Sequence, residues 1–279
     1  MKILLEGQMK LVCPTKTDYP LQFCAHRWTE NEPVCKRAQS IWSKMIEIVK
    51  FWKSLPKSKQ PGRGKGENKS FDRLCSSIDD PLVPVKLQFF EEISKLLNSF
   101  LVSFQVDKPM APFLADRLEK ITKILCRKFI KKDILDGAVT TLRFIKMQIT
   151  DKANQVNVKK VDLGFSINHE LNQLKKNNKI TDTQLNTFKE ELLQFLVSLC
   201  EHIMNKSPLK FMFTRYLKCL SPLYMAECGE SSMLLFNNLL EKLVSYKIIS
   251  GACADEAKWQ YSHFLNVIVK ENKKKIYFI

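Results

Sequence analysis

The sequence has no hydrophobic run long enough to cross a bilayer, since a membrane-spanning helix needs about 20 mostly apolar residues in succession. The amino-terminal segment MKILLEGQMKLV has only three apolar residues in a row before Glu6 and Gly7. That stretch is too short for the apolar region of a signal peptide. We therefore expect a protein of the nucleus or the cytoplasm that has no membrane partner.

The cysteines lack the pattern of a disulfide framework or a zinc site. There are nine, an odd number, and no two form a CxxC pair. Two Cys-x-His pairs occur, at Cys24 and His26 and at Cys200 and His202. Zinc requires four tetrahedral ligands, and neither pair is accompanied by a second pair at finger spacing. We expect free thiols in a reducing compartment and no bound metal.

Recognisable catalytic motifs are also missing. There is no GxSxG element, and the glycine-rich stretch 62–66 fits neither the Walker spacing nor the dinucleotide fingerprint. The acidic pairs Asp79-Asp80 and Glu91-Glu92 are adjacent, so on a helix their side chains would diverge instead of meeting at a pair of metal ions. The sequence therefore predicts a protein that is not an enzyme and that has no cofactor and no small-molecule substrate.

What the chain has in excess is positive charge. It contains 45 Lys and Arg against 29 Asp and Glu, a formal net charge of +16. Such a surplus favours phosphate backbones, such as that of DNA, as partners, although a solvated basic surface would give the same composition. The densest basic segment is 53–70, KSLPKSKQPGRGKGENKS, which we interpret as a flexible loop. Its candidate nucleic-acid contacts are Lys57, Lys59, Arg63, Lys65 and Lys69.

Aromatic residues recur mostly at helical spacing, which is typical of a buried core. A platform for stacking bases would instead need exposed aromatics with Lys or Arg around them. One place in the sequence hints at this arrangement, and it holds Phe211, Phe213, Arg215 and Tyr216.

Helical periodicity dominates the rest of the chain, and glycine is scarce, with eight residues. Apolar stripes predict helices from Asn31 to Trp52, from Pro84 to Phe104 with its buried face along Leu87–Phe104, and through Leu185–Leu199. The last of these follows Thr181 and Gln184, which have the spacing of a capping box. Further helices are predicted around 113–129, 208–217, 231–247 and 253–271. Residues 139–165 fit either a strand or a loop.

The predicted fold class is therefore mainly α, a multi-helix domain with little or no β-sheet. We expect an irregular amino-terminal segment over 1–30, an all-helical domain over 31–271 that carries the basic loop 53–70, and a basic tail over 272–279. No repeat of fixed period is visible, which argues against a solenoid.

Four sequence blocks together resemble a known family. They are CAHRWTENEPVCKRA at 24–38, SLPKSKQP at 54–61, DKPMAPFL at 107–114 and KSPL at 206–209. As a set, spread over about residues 20–265, they look like the carboxy-terminal half of transposon-derived proteins related to the hAT transposases.

The resemblance implies a fold and an origin. In hAT transposases a large all-helical insertion interrupts a ribonuclease-H-like catalytic core, and an Arg-Trp element lies near the entry to the insertion. The resemblance implies that Arg27 and Trp28 are the corresponding residues here, with a structural role. The family's catalytic carboxylates lie mostly upstream of the matching region, so the resemblance assigns no catalytic residue to this chain.

Three functional hypotheses follow. The first is a catalytically inactive, transposase-derived helical module that contacts nucleic acid or another protein through a basic surface. The second is a structural domain that self-associates and has no role with nucleic acid. The third is a fragment of an active, metal-dependent DNA transposase, whose catalytic core would be encoded upstream.

Overall fold

The computed structural model describes residues 20–22, 31–60 and 69–269, and it confirms the mainly α class. The helices are α1 Asn31–Ser40, α2 Trp42–Ser54, α3 Lys69–Asp79, α4 Val83–Phe104, α5 Ala111–Cys126, α6 Lys132–Gly137, α7 Thr141–Ile145, α8 Phe165–Lys176, α9 Asp182–Lys206, α10 Met212–Tyr216, α11 Pro222–Glu227, α12 Gly229–Ser245 and α13 Gly251–His263, which continues into a π-helical segment over Phe264–Val269. Short 3₁₀ turns cover Lys57–Lys59, Lys152–Asn154, Val158–Lys160, Pro208–Lys210 and Leu217–Leu220.

Strands are absent from the described part of the chain, where one isolated antiparallel bridge joins Ile130 and Gln155. The stretch 139–165, which the sequence left open between strand and loop, forms the short helix α7 and two 3₁₀ turns. In the same described ranges, each helix is too short or too polar to span a bilayer.

The chain forms two compact units, each built from two stretches of sequence. Unit 1 takes the chain as far as Leu101 and adds Asp162–Glu191, whereas unit 2 takes Val102–Val161 and the chain from Leu192 onward. The division falls within α4 and within α9. Of the predicted segments, the described residues include only 20–22 of 1–30, and the whole of 272–279 lies outside them.

Unit 1 contains a small aromatic core between α2 and α3. Ile48, Val49 and Trp52 are buried on α2, and Phe71 on α3 meets Trp52 edge to face, with ring centroids 5.8 Å apart. The helix predicted from Asn31 to Trp52 is two helices, α1 and α2, that meet at Ile41. The apolar residues at helical spacing on α2 therefore bury the face that the sequence predicts.

Helix α4 has the predicted bounds to within one residue, but its buried face differs from the predicted one. Val85, Phe89 and Ile93 form the buried stripe, whereas Leu101 is 40% exposed. The helix is apolar on more than one side, and spacing alone then cannot identify the side that meets the core.

The capping box before α9 is confirmed. The Thr181 amide donates to Oε1 of Gln184 at 2.9 Å, and the Gln184 amide donates to Oγ1 of Thr181 at 3.2 Å. Two amides that would lack intrahelical partners are thereby satisfied. Phe188, Leu192 and Leu196 follow on the buried face of this helix, as their spacing predicts.

Unit 2 has its core where α12, α13 and the turn Leu217–Leu220 pack together. The rings of Phe236 and Tyr261 stack with centroids 3.9 Å apart. The Tyr261 hydroxyl donates to the Cys219 carbonyl at 2.7 Å and lies 2.5 Å from the hydroxyl of Ser232. Burial raises the pKa of Tyr261 to about 12, so the phenol keeps the proton that it donates.

We expect Tyr261→Phe to lower the free energy of unfolding by about 1–2 kcal/mol, because buried polar groups lose a partner. Among the described residues, the Cys219 carbonyl would then keep the Ser232 hydroxyl as its remaining side-chain partner, at 3.3 Å. Urea unfolding followed by circular dichroism measures the loss. Tyr246→Phe is the matched control, since that ring is exposed. Equal midpoints for the two variants would show that the buried network adds no stability.

Candidate nucleic-acid interface

A concave surface in unit 2 gathers five basic side chains. It encloses about 660 Å³ and is bounded by α5, the start of α7, the end of α10, the turn Leu217–Leu220 and α11. We call it the basic cavity. Its charged lining consists of Lys120, Lys123, Arg127, Arg215, Lys218, Asp116 and Glu119.

Helix α5 supplies most of this lining through its periodicity. Lys120, Lys123 and Arg127 follow Asp116 at intervals of three or four residues, which places them along one side of the helix. Leu118 and Leu125 lie on the opposite side and are buried. Packing of that apolar side therefore fixes the polar side toward the cavity.

Both acidic residues of the basic cavity are already paired. Glu119 lies 2.6 Å from Nζ of Lys123 and also accepts a hydrogen bond from the Thr141 hydroxyl. Asp116 lies 2.7 Å from Nζ of Lys218. The two carboxylates therefore neutralise two of the five cations and hold their ammonium groups in place.

Aromatic rings also contact the ammonium groups of Lys123 and Lys218. Nζ of Lys123 lies 5.3 Å from the centroid of Phe144, and Nζ of Lys218 lies 4.3 Å from that of Tyr224. Both distances are within the range of a cation–π interaction. Burial, which is the largest influence, raises the pKa of Tyr224, while the charge of Lys218 acts in the opposite direction.

Three cations of the basic cavity have no carboxylate partner in the described part of the chain. Lys120 and Arg127 are exposed at the rim. Arg215 donates from Nη1 to the backbone carbonyl of Leu209, which is a neutral acceptor and so does not offset the guanidinium charge. A concave wall with excess charge of one sign concentrates the field, so this surface favours anionic ligands.

An exposed aromatic segment leads into the basic cavity. Phe211 is 56% exposed, and Met212 and Phe213 after it are also exposed. Nζ of Lys210 lies 5.2 Å from the ring centroid of Phe211. Arg215 and Tyr216, on the following turn, line the basic cavity. Of the four residues that the sequence suggested as a platform for stacking bases, Phe211 and Phe213 are therefore exposed, and Arg215 and Tyr216 line the basic cavity.

The loop residues predicted to contact nucleic acid lie elsewhere. Lys57 and Lys59 are exposed in the 3₁₀ turn over Lys57–Lys59, and Lys69 is exposed at the start of α3, all within unit 1. Arg63 and Lys65 lie outside the described residues, as do the glycine-rich stretch 62–66 and the Arg27-Trp28 element. A role for these basic residues in binding stays a prediction.

The structure does not bring the Cys-x-His pairs into a metal-binding arrangement among the described residues. Cys200 is buried in α9 and His202 is exposed, because residues two apart on a helix face different ways. Cys24 and His26 lie outside the described residues. Nowhere in the described ranges do three His, Cys, Asp or Glu side chains approach closely enough to hold a metal.

Two buried cysteines meet in the core of unit 2. Hydrogen bonding to Cys126 and burial both raise the pKa of the Cys200 thiol far above its ordinary value, and both side chains are fully buried. A thiol that stays protonated is a poor nucleophile. The pair therefore fills the core as small apolar groups would.

Sequence reasoning missed Lys120, Lys123 and Arg127. Their spacing on α5 is visible in the sequence, but interleaved charges on a helix usually mark only a solvated face. What distinguishes them is the approach of Arg215 and Lys218 from a distant stretch of the chain.

Comparisons with known proteins add no family. No protein-family model matches the chain, no curated protein is significantly similar to it, and no solved structure is either.

Proposed function

We propose that this chain is a transposase-derived, catalytically inactive helical module that contacts nucleic acid through the basic cavity of unit 2. One observation carries the proposal: on one concave wall, Lys120, Arg127 and Arg215 have no carboxylate partner among the described residues. Phosphate backbones are the anions that most often meet such a surface, and arginine binds phosphate oxygens in a fork-like geometry.

The transposase origin rests on the four sequence blocks at 24–38, 54–61, 107–114 and 206–209. A mainly α fold supports it, since the resemblance implies the all-helical insertion of such an enzyme. In this proposal the protein works in the nucleus or the cytoplasm, where it meets DNA or RNA, and it performs no strand transfer itself.

Salt dependence tests the nucleic-acid proposal directly. The affinity of the protein for a fluorescent DNA duplex should fall steeply as salt rises from about 50 to 200 mM. The reason is that Lys and Arg side chains of the protein release counterions condensed on the DNA, and added salt opposes that release. With three phosphate contacts, the plot of log affinity against log salt should have a slope of about −3. Fluorescence anisotropy at several salt concentrations measures that slope. Failure of both the duplex and a single strand of equal length to bind at the lowest salt would reject the proposal.

A further inference from the structure

We propose that the basic cavity takes single-stranded nucleic acid in preference to duplex, with one base stacked on the ring of Phe211 and the adjoining phosphates held by Arg215, Lys120 and Arg127. This inference rests on the proposed function and deepens it by naming the form of nucleic acid that the surface recognises.

The first argument is the exposure of the aromatic segment. Three consecutive large apolar side chains, Phe211, Met212 and Phe213, face solvent beside the basic cavity. Exposed apolar residues next to a strongly polar wall favour a ligand that has both apolar faces and negative charge. A nucleotide has this combination, because its base is a flat ring system and its backbone is anionic.

The second argument is the position of the cations around that ring. Nζ of Lys210 lies 5.2 Å from the Phe211 centroid, and Phe211 is still 56% exposed. Arg215 follows one turn later, and its amide donates to the Phe211 carbonyl at 3.4 Å. A base on the ring would therefore have its flanking phosphates near Lys210 on one side and the basic cavity on the other.

The third argument separates single strands from duplexes. Within a duplex, neighbouring bases cover each other's faces, so a surface phenylalanine has no base to stack on without unstacking a step at a cost of a few kcal/mol. In a single strand the base faces are accessible, and sequence-independent binders combine a basic groove with aromatic platforms. In this protein the basic cavity corresponds to the groove, and Phe211 corresponds to the aromatic platform.

The test measures anisotropy with four probes of equal length: a thymine oligonucleotide, a uracil oligonucleotide, an abasic strand and a duplex. The wild type should bind at least one of the base-carrying strands about 10-fold more tightly than the duplex and the abasic strand. The two base-carrying arms report whether the deoxyribose or the ribose form is preferred, and preference for either one supports the inference.

Substitutions at Phe211 test whether its aromatic ring causes the preference for single-stranded nucleic acid. Both Phe211→Ala and Phe211→Leu should weaken single-strand binding about 10-fold and leave duplex binding almost unchanged, whereas Phe211→Tyr should keep the wild-type affinity. Phe165→Ala is the matched control, since Phe165 is another exposed phenylalanine and belongs to unit 1. It should have no effect on any probe.

The outcomes distinguish this inference from the proposed function. Tight binding of the duplex with no preference for base-carrying strands, or equal affinities for Phe211→Ala and the wild type, would overturn the single-strand inference alone. Failure of all four probes to bind at low salt would reject the proposed function as well.

Discussion

Phe144→Ala is expected to lower the free energy of unfolding of unit 2 by about 3–5 kcal/mol, the usual cost of deleting a buried phenyl ring. Phe144 has no solvent-exposed surface, although it belongs to a helix of only five residues, α7. Its ring also lies under the Lys123 ammonium. The substitution would therefore leave a cavity in the core and remove the aromatic support of one cation in the basic cavity.

The same short helix offers a control. Leu142 lies two residues earlier and is 45% exposed, so Leu142→Ala should change the free energy of unfolding by less than about 0.5 kcal/mol. Urea unfolding, followed by far-ultraviolet circular dichroism and by tryptophan fluorescence, compares the two variants. If Phe144→Ala unfolded at the same urea concentration as Leu142→Ala, the burial of α7 against the core would be refuted.

How much of the fold can be predicted from sequence depends on how local the deciding interaction is. The start of α9 is predictable because Thr181 and Gln184 cap the helix through bonds that span three residues. Its buried face is predictable too, since Phe188, Leu192 and Leu196 repeat at helical spacing with polar residues between them.

Other parts depend on contacts between residues far apart in the chain. The stripe on α4 is ambiguous because apolar residues surround the helix, and only the packing of unit 1 selects Val85, Phe89 and Ile93. Residues 139–165 are equally ambiguous, since Leu142 and Phe144 would share one face of a strand but would point in different directions on a helix. In the structure Phe144 is buried while Leu142 is exposed.

The charged residues of the candidate site are also difficult to predict from the sequence. The sequence draws attention to 53–70 because its lysines are close together in the chain. The cations of the basic cavity are spread along the chain between Lys120 and Lys218. Proximity in space, which α5 and the turn Leu217–Leu220 create by packing together, turns these scattered charges into one basic surface.

The double substitution Lys120→Ala and Arg127→Ala is expected to weaken nucleic-acid binding at low salt about 100-fold. Both side chains are exposed and neither has an ion-pair partner in the described part of the chain, so their removal should leave the fold intact. A hydrogen bond to a charged group contributes about 1.5–3 kcal/mol, which corresponds to about tenfold or more for each lost phosphate contact. The salt slope should fall by about 2, because each lost contact lowers it by about 1.

A control of equal charge separates the basic cavity from the net charge of the protein. Lys152 and Lys258 are exposed in unit 2 and do not line the basic cavity, so Lys152→Ala with Lys258→Ala removes the same two charges elsewhere. If binding follows the overall charge of +16, both double variants will weaken it equally, which would contradict a localised site. If Lys120 and Arg127 hold phosphates directly, the control will keep nearly the wild-type affinity and slope, because long-range attraction between exposed charges is screened beyond about 10 Å at 0.1 M salt.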